Sequence, residues 1–201
     1  MSSAIKYLMI SSLVLFLSGF SMNDMTMKQV VSEDYKQYLA NNEGNFPFPQ
    51  TNYVAEYILT PSTVNHNYEF RSGLTGYVNL WIVNFGDILE KTLQGKDMQS
   101  AFKQLSKSAG EGSSGKMTIK YHLIDYKFEE LEARLRLQIS VLKGKTTVFD
   151  ETYFEKGQSQ GGKMFWTGAF GMKNSIQQST KNAIDKILAK SLHDMMSKNI
   201  R

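Results

Sequence analysis

The sequence predicts an α+β fold, in which an antiparallel meander sheet packs against amphipathic helices as a two-layer sandwich. Apolar and polar residues alternate between residues 117 and 154, as they do in strands with one buried and one exposed face. Apolar residues instead recur at helical spacing in residues 87–105 and 174–198. Because each kind of element has one apolar face to bury, the two sets are expected to pack against each other.

Composition limits the size and the chemistry of this fold. The 201 residues are 41% hydrophobic and 12% aromatic, which is enough for one core. The chain contains no cysteine, which excludes disulfides, cysteine-ligated metal or iron–sulfur sites and a cysteine nucleophile. The formal net charge of +4 is small, so it gives no reason to expect nucleic acid as a partner.

Residues 1–21 are predicted to form a signal peptide. Lys6 precedes an apolar run over residues 7–20, which is too short for a transmembrane helix of about 20 residues. Gly19 and Ser21 supply the small residues that a signal peptidase requires. We therefore expect export to the periplasm, with association with the outer membrane as a further expectation.

The end of this leader carries a more specific pattern. Leu17-Ser18-Gly19 is followed by Phe20. The tripeptide resembles the one that precedes the lipid-modified cysteine of bacterial lipoproteins, but without a thiol at residue 20 no lipid can be attached. Two interpretations stay open: the protein is a soluble periplasmic relative of lipoproteins, or residue 20 differs from the native gene.

After the leader, residues 22–52 are predicted to form a tether, and residues 53–201 a single α+β domain. The tether is polar with scattered methionines, and turn formers and prolines interrupt it at residues 41–50.

The first part of the domain combines strands and short helices. The β-rich runs at residues 53–59 and 77–83 predict strands. Asp87 and Asp97 can cap two helices that follow the second run. A glycine- and serine-rich loop over residues 106–115 then leads to the meander.

The meander is predicted to contain a bulge, and its second hairpin has two registers open. The alternation shifts phase after Leu123, which indicates a β-bulge. One register of the hairpin places Val141 opposite Thr146, and turn chemistry favours it. The other places Ile139 opposite Phe149, and the direction of the aromatic side chains favours it. We expect the second register.

The chain is predicted to end in an amphipathic helix over residues 174–198. Its apolar residues lie on one stripe, which is expected to pack on the sheet. Gln177, Lys181, Asp185 and Lys190 lie off this stripe and are predicted to face water.

No catalytic, metal-binding or cofactor-binding residues are predicted, so we do not expect an enzyme. Residues 157–164 nearly match a phosphate-binding loop, but Met164 stands where a hydroxyl must ligate magnesium. His66, His122 and His193 lack metal-ligand spacing. The sequence also has no Gly-x-Ser-x-Gly motif and no other visible machinery for nucleophilic catalysis.

Two groups of residues are candidates for binding a partner. Arg134 and Arg136 form a basic stripe on the exposed face of their strand, with Asp150 or Glu132 as expected ion-pair partners. Residues 163–172, predicted as a loop, place apolar side chains between glycines, which suits a contact surface. The candidate contact residues in this segment are Met164, Phe165, Trp166 and Phe170.

Three segments of the domain carry a likeness to known envelope proteins. A strand leads to Phe85-Gly86-Asp87-Ile88-Leu89 at a helix start. The meander ends in Thr152-Tyr153-Phe154-Glu155-Lys156-Gly157, and the terminal helix contains Ala183-Ile-Asp-Lys-Ile-Leu-Ala-Lys-Ser-Leu192. In this order they resemble small Gram-negative envelope lipoproteins of the YajG-like group and the auxiliary lipoproteins of ABC-type lipid transporters, although the acceptor cysteine is missing. The resemblance implies a non-catalytic partner of an envelope machine.

The sequence therefore predicts a non-catalytic, exported accessory protein of the bacterial cell envelope that binds an envelope protein. The alternative is a periplasmic carrier that holds a small apolar or lipid ligand between helix and sheet. A lipid or membrane surface is a further candidate partner, whereas neither nucleic acid nor a nucleotide is expected.

Overall fold

The computed structural model describes residues 26–108, 110, 117–159 and 164–200, without the side chains of residues 164–167. It confirms the α+β class, with two sheets packed against helices. The predicted leader and the glycine-rich part of the predicted phosphate-loop match lie outside the described residues. The strands are β1 (Met27–Val30), β2 (Val54–Leu59), β3 (Asn67–Arg71), β4 (Asn79–Asn84), β5 (Gln104–Lys107), β6 (Met117–Glu129), β7 (Glu132–Lys143) and β8 (Thr146–Lys156). The α-helices are α1 (Tyr35–Ala40), α2 (Pro61–Val64), α3 (Phe85–Gln94), α4 (Lys96–Ser100) and α5 (Met164–Ser197), and a 3₁₀ turn spans Gly73–Thr75.

The larger sheet has five strands in the order β5-β2-β6-β7-β8. Its β6-β7-β8 part is the predicted antiparallel meander, and the predicted bulge lies between Leu123 and Asp125. Strand β2 instead runs parallel to both of its neighbours, β5 and β6. Parallel neighbours require a crossover, and the segment from α2 to α4 provides it between β2 and β5.

The hairpin between β7 and β8 adopts neither of the two predicted registers. Lys143 pairs with Thr146 across a two-residue turn, and Val141 pairs with Phe149. A register shift between these pairs leaves Val148 as an extra residue in β8. The bulge therefore allows a tight turn and still directs Phe149 into the core, which an unbulged hairpin could not do.

The stretch predicted as a tether forms part of the folded domain. Strand β1 pairs in parallel with β4, which pairs antiparallel with β3 to complete a three-stranded sheet. Val31, Tyr35 and Phe48 are all buried in the core. The tether prediction was wrong from residue 26 onward. The few apolar residues that hold this segment in the core are scattered among polar residues, so they form no pattern that predicts a packed element.

The core lies mainly between the five-stranded sheet and helices α3 and α5. Helix α5 contacts β7 and β8. Helix α3 meets the other half of the sheet, where the ring centroids of Phe85 and Tyr126 lie 5.4 Å apart and the Gln94 side-chain amide donates to the Tyr57 hydroxyl at 3.2 Å. The predicted apolar stripe of α5 is buried as expected.

Neither Asp87 nor Asp97, the two predicted N-cap residues, lies at the cap position of its helix. Asn84 occupies the cap position of α3, and Asp87 lies in the first turn, where it pairs with Lys91 at 2.9 Å. Gly95 precedes α4, so Asp97 also lies inside its helix. Acidic side chains stabilise the first turn through the helix dipole, which accounts for the pattern that suggested caps.

One glycine fixes how closely the sheet approaches α5. A Cβ atom at Gly157 would lie 1.7 Å from the backbone carbonyl oxygen of Ser179. The Ser179 hydroxyl receives the Ala133 N–H at 2.5 Å and donates to the Gly157 carbonyl at 2.8 Å. The glycine of the supposed phosphate loop thus has a packing role at the end of β8.

Candidate functional site

The segment predicted as an apolar loop over residues 163–172 is largely helical. Helix α5 begins at Met164, and its helical geometry is interrupted at Gly168, where φ is 55° and ψ is −130°. The loop prediction was wrong because the glycines that suggested a loop instead form a kink in the first turns of a helix. The side chains of the candidate residues Met164, Phe165 and Trp166 lie outside the described residues.

The last candidate of that segment, Phe170, is exposed. Its side chain is 76% accessible, whereas Met172, two residues later, is buried. Burying a phenylalanine side chain is worth about 2 kcal/mol or more, so Phe170 has that much to gain from being covered.

Phe170 borders a groove between α1 and α5, called here the α1–α5 groove, with a volume of about 320 Å³. Lys173 pairs with Asp34 across it at 3.0 Å. The Gln177 side-chain amide donates to the Asp34 carboxylate at 2.6 Å and to the Val31 carbonyl at 3.0 Å. These bonds fix the groove floor and leave the aromatic ring of Phe170 at its edge.

The other predicted residues lie on the exposed face of the five-stranded sheet. Arg134 pairs with Glu129 at 2.8 Å and Glu130 at 3.2 Å, and not with Asp150 or Glu132 as expected. The tight β6–β7 turn explains this, because it brings the Glu129–Glu130 corner beside Arg134. Asp150 instead accepts hydrogen bonds from the side chains of Gln138 and Ser140.

Arg136 and Phe154 form an aromatic–cation pair on this same face. The Arg136 guanidinium carbon lies 6.0 Å from the centre of the Phe154 ring, which is itself exposed. This is the outer limit of a cation–π contact, so both groups remain able to meet a partner. The sheet face and the α1–α5 groove are therefore separate candidate surfaces.

A hydroxyl–imidazole cluster at the start of α2 escaped the sequence analysis. The His122 Nδ1 atom lies 3.1 Å from the Thr60 hydroxyl and 3.3 Å from the Ser62 hydroxyl. Parallel pairing of β2 with β6 brings these distant residues together, since Leu59 is opposite Tyr121. The Thr60 side chain caps α2 by accepting the Thr63 N–H, so the cluster has a clear role in helix capping.

The remaining histidines and acids do not gather into a metal centre. In the part of the chain that the structure describes, no group of three or more His, Cys, Asp or Glu residues could hold a metal ion. His66 is partly buried between Phe85 and Tyr126, and this burial lowers the pKa of its imidazole.

A buried ion pair is the second feature that the sequence analysis missed. Lys181 and Asp185 lie one turn apart on α5 with a 2.5 Å contact, and both line a cavity of about 190 Å³ beside α1 and α3. Among the described residues, the Asp185 Oδ1 atom has no hydrogen-bond partner. Burial raises the pKa of the Asp185 carboxyl to about 6, although Lys181 acts in the opposite direction.

A groove with a mixed polar and apolar lining at one end of the sandwich, called here the end groove, has a volume of about 990 Å³. Tyr53 and Met117 form its wall on the sheet side, and Met196 in the last turn of α5 and Ile200 beyond it form the opposite wall. Gln50, Thr51, Asn52 and Asn199 add polar groups. Lys143 stands at its rim. This volume is at the upper end of the range for small-molecule sites.

Comparisons with known proteins identify the fold only. No protein-family model matches the sequence, and no curated protein matches it. The crystal structure of protein XCC0632 from Xanthomonas campestris, assigned to the family DUF330, is similar with a TM-score of 0.51 at 9% identity, covering 77% of this chain and 91% of that chain. The hypothetical protein CT253 from Chlamydia trachomatis gives a TM-score of 0.41 at 8% identity over 70% of this chain and 96% of that one.

Identities this low carry no information on activity, ligand or lipid attachment. In the described residues, no helix has both the length and the apolar character needed to cross a membrane. What the comparison with the Xanthomonas protein establishes is that this chain shares its α+β fold with a bacterial DUF330 protein.

Proposed function

We propose that this protein is a non-catalytic, exported accessory protein of the bacterial cell envelope, which binds another envelope protein through Phe170 and the α1–α5 groove. The observation that carries the proposal is the exposure of Phe170 beside a preformed groove, on a helix whose other apolar residues are mostly buried. Aromatic anchors next to a pocket are the residues that contribute most to protein–protein affinity.

The chemistry of the groove favours a polypeptide partner. Gln37, Asn41 and Asn174 line it with side-chain amides, which can both donate and accept hydrogen bonds. Main-chain groups of a partner segment offer the matching donors and acceptors. Because the floor is already held by the Lys173–Asp34 and Gln177–Asp34 contacts, a partner would meet an ordered surface and lose little entropy there.

The envelope location rests on the leader, whose short basic region and apolar run support export. The candidate residues Met164, Phe165 and Trp166 precede Phe170 in sequence and extend the same proposed contact segment. Arg136 and Phe154 provide a second surface on the sheet, and Arg134 buttresses it through its ion pairs.

Site-specific photo-crosslinking in cells tests this proposal. A photoreactive phenylalanine analogue replaces Phe170 in one strain and Val148, an exposed apolar residue near the β7–β8 turn, in another. We expect an adduct with one identified envelope protein at position 170 and none at 148. Phe170→Ser and Trp166→Ala should then each weaken co-purification of that protein about tenfold or more, whereas Val148→Ser should not. Equal co-purification of all variants would refute the groove as the contact.

The end groove favours a second candidate function, that of a carrier for a small apolar or lipid ligand. Its apolar residues Tyr53, Val54, Met117, Met196 and Ile200 come from both the sheet and the end of the helix and could contact an apolar ligand. Native mass spectrometry of the purified protein should then show a bound lipid, and Met196→Glu should remove it by placing a charge in the wall. A protein without bound lipid in both forms would count against this function.

A further inference from the structure

Four exposed apolar side chains lie on two neighbouring segments near the start of the described chain. They belong to β1 and to the segment between β3 and β4. Tyr77 is 70% accessible and Leu74 is 59% accessible. The Met27 N–H donates to the Val78 carbonyl at 2.8 Å, which joins the two segments. We call this surface the entry patch; it consists of Met27, Leu74, Tyr77 and Val78.

The backbone beneath the entry patch is held by hydrogen bonds. The Trp81 indole donates to the Thr75 hydroxyl at 3.2 Å, and the Asn79 side-chain amide donates to the Thr75 carbonyl at 2.7 Å. The Arg71 guanidinium donates to the Tyr77 carbonyl and, at 3.1 Å, to the Thr26 hydroxyl. The apolar side chains are thus presented to solvent by a fixed backbone, and their exposure does not result from a loose loop.

Charge and position indicate what covers this patch. Lys28 and Arg71 are exposed at its margin, while Glu69, the acidic residue on the same strand as Arg71, receives a hydrogen bond from the Asn67 side chain. Thr26 is five residues beyond Ser21, so the predicted leader ends within about 18 Å of the patch. A tyrosine among aliphatic side chains with flanking cations is the composition of a surface that lies in the interfacial region of a membrane.

We propose that the entry patch docks on the surface of a lipid bilayer that contains anionic headgroups. Tyr77, Leu74, Val78 and Met27 would enter the interfacial layer, and Lys28 and Arg71 would meet the headgroup phosphates. This inference concerns a different face from the α1–α5 groove and does not depend on the proposed protein partner.

The absence of cysteine allows a position-specific test with the full chain. Leu74→Cys and, as the matched control, Ile124→Cys are each labelled with a polarity-sensitive nitrobenzoxadiazole dye. Vesicles of phosphatidylethanolamine and phosphatidylglycerol are then added. We expect the emission at position 74 to rise at least about twofold and shift to the blue, and that at position 124 to stay unchanged. Because a retained leader would itself bring position 74 towards the bilayer, the measurement is repeated with the mature protein that lacks residues 1–21. The rise at position 74 should persist there, and its loss would overturn the proposal.

Charge and oligomerisation are tested in the same assay. Lys28→Gln should weaken vesicle binding roughly fivefold, and vesicles of phosphatidylcholine alone should give a smaller signal. No change at position 74, or an equal rise at both positions, would overturn the proposal. A rise at position 74 that follows protein concentration in the absence of vesicles would overturn it in favour of a second copy of this chain as the occupant.

Discussion

The buried Lys181–Asp185 pair gives the sharpest test of the packing around α5. The two side chains are only 9% and 4% accessible, and the contact between Lys181 Nζ and Asp185 Oδ2 is 2.5 Å. Lys181→Met keeps the length of the side chain and removes its charge. The Asp185 carboxylate would then stay buried with neither its cation nor, among the described residues, a hydrogen-bond donor for Oδ1.

The expected cost follows from the pKa of Asp185. Burial raises this pKa from 3.8 to about 6 even with Lys181 present, so the ionised carboxylate already disfavours folding by about 3 kcal/mol at pH 8. Breaking a buried pair by removing one partner typically costs about 3–5 kcal/mol. We therefore expect Lys181→Met to lower the free energy of unfolding by about that amount at pH 8.

The cost should decrease in acid. Because the pKa of Asp185 is higher in the folded state, the folded protein holds a proton between pH 3.8 and about 6 that the unfolded chain does not hold. The contribution of Asp185 to the free energy of unfolding of the wild type is therefore most favourable below that window, and it decreases as the pH rises through the window. In the variant, the two effects of Lys181 that lower the pKa are gone, so the window extends upward. At pH 5 Asp185 is protonated in both folded proteins. The difference in the free energy of unfolding between Lys181→Met and the wild type should therefore shrink to about 1 kcal/mol or less.

Urea unfolding at pH 5 and pH 8 measures both values. Comparing variant with wild type at each pH removes the contribution of ionisable groups that lie far from the pair. Lys198→Met is the matched control, because Lys198 pairs with Glu151 at 2.6 Å on the surface and should change stability by less than about 1 kcal/mol at either pH. A double variant Lys181→Met, Asp185→Leu should recover most of the loss. Equal destabilisation of Lys181→Met at both pH values would refute the reasoning.

Three further variants test the contacts around β8. Gly157→Ala places a Cβ against the Ser179 backbone and should cost about 3 kcal/mol or more in urea unfolding, whereas Gly110→Ala, with open space around it, should cost less than about 0.5 kcal/mol. Ser179→Ala leaves a buried N–H and a buried carbonyl without their bonds, so the free energy of unfolding should fall by about 1–3 kcal/mol, and an unchanged value would show that other groups replace them. Tyr153→Phe removes the 2.8 Å bond to Asp194 and should lower the melting temperature by an amount equivalent to about 1 kcal/mol; no shift would mean that this bond adds nothing to stability.

Local patterns in the sequence predicted the local structure correctly. The alternation in β6 and β7 identified both strands and the bulge after Leu123, because the direction of each side chain in a strand depends only on its neighbours. The apolar stripe of α5 was equally readable, because it repeats along one helix. The exposure of Phe170 was anticipated from its segment, although that segment proved to be helical.

Features that depend on distant pairing were not predictable in this way. Nothing in residues 26–52 shows that β1 pairs with β4, since β1 has only four residues. The α1–α5 groove depends on that pairing, because it brings α1 beside Phe170. In the same way, the Thr60–His122 contact exists only because β2 lies parallel to β6.

The polar side of α5 shows why polarity alone is a poor guide to exposure. Gln177, Lys181 and Asp185 were predicted to face water, but all three are buried, and only Lys190 is exposed as expected. In a fold of one sheet and one helix layer, the side of α5 away from the sheet would meet solvent. The segment from β1 to α1 adds cover on that side, through the bonds of Gln177 to Val31 and Asp34.

Polar residues are tolerated in such a position only where each finds a partner. Gln177 reaches a backbone carbonyl, and Thr180 lies 2.8 Å from the Tyr126 hydroxyl. Asp185 is the exception, because one of its oxygens stays unsatisfied among the described residues and its pKa is raised. Since a buried polar helix face costs stability unless it is fully paired, its presence here shows that the sequence is fitted to the added cover. Removing the β1–α1 segment should therefore destabilise the domain through α5, well beyond the loss of its own few apolar contacts.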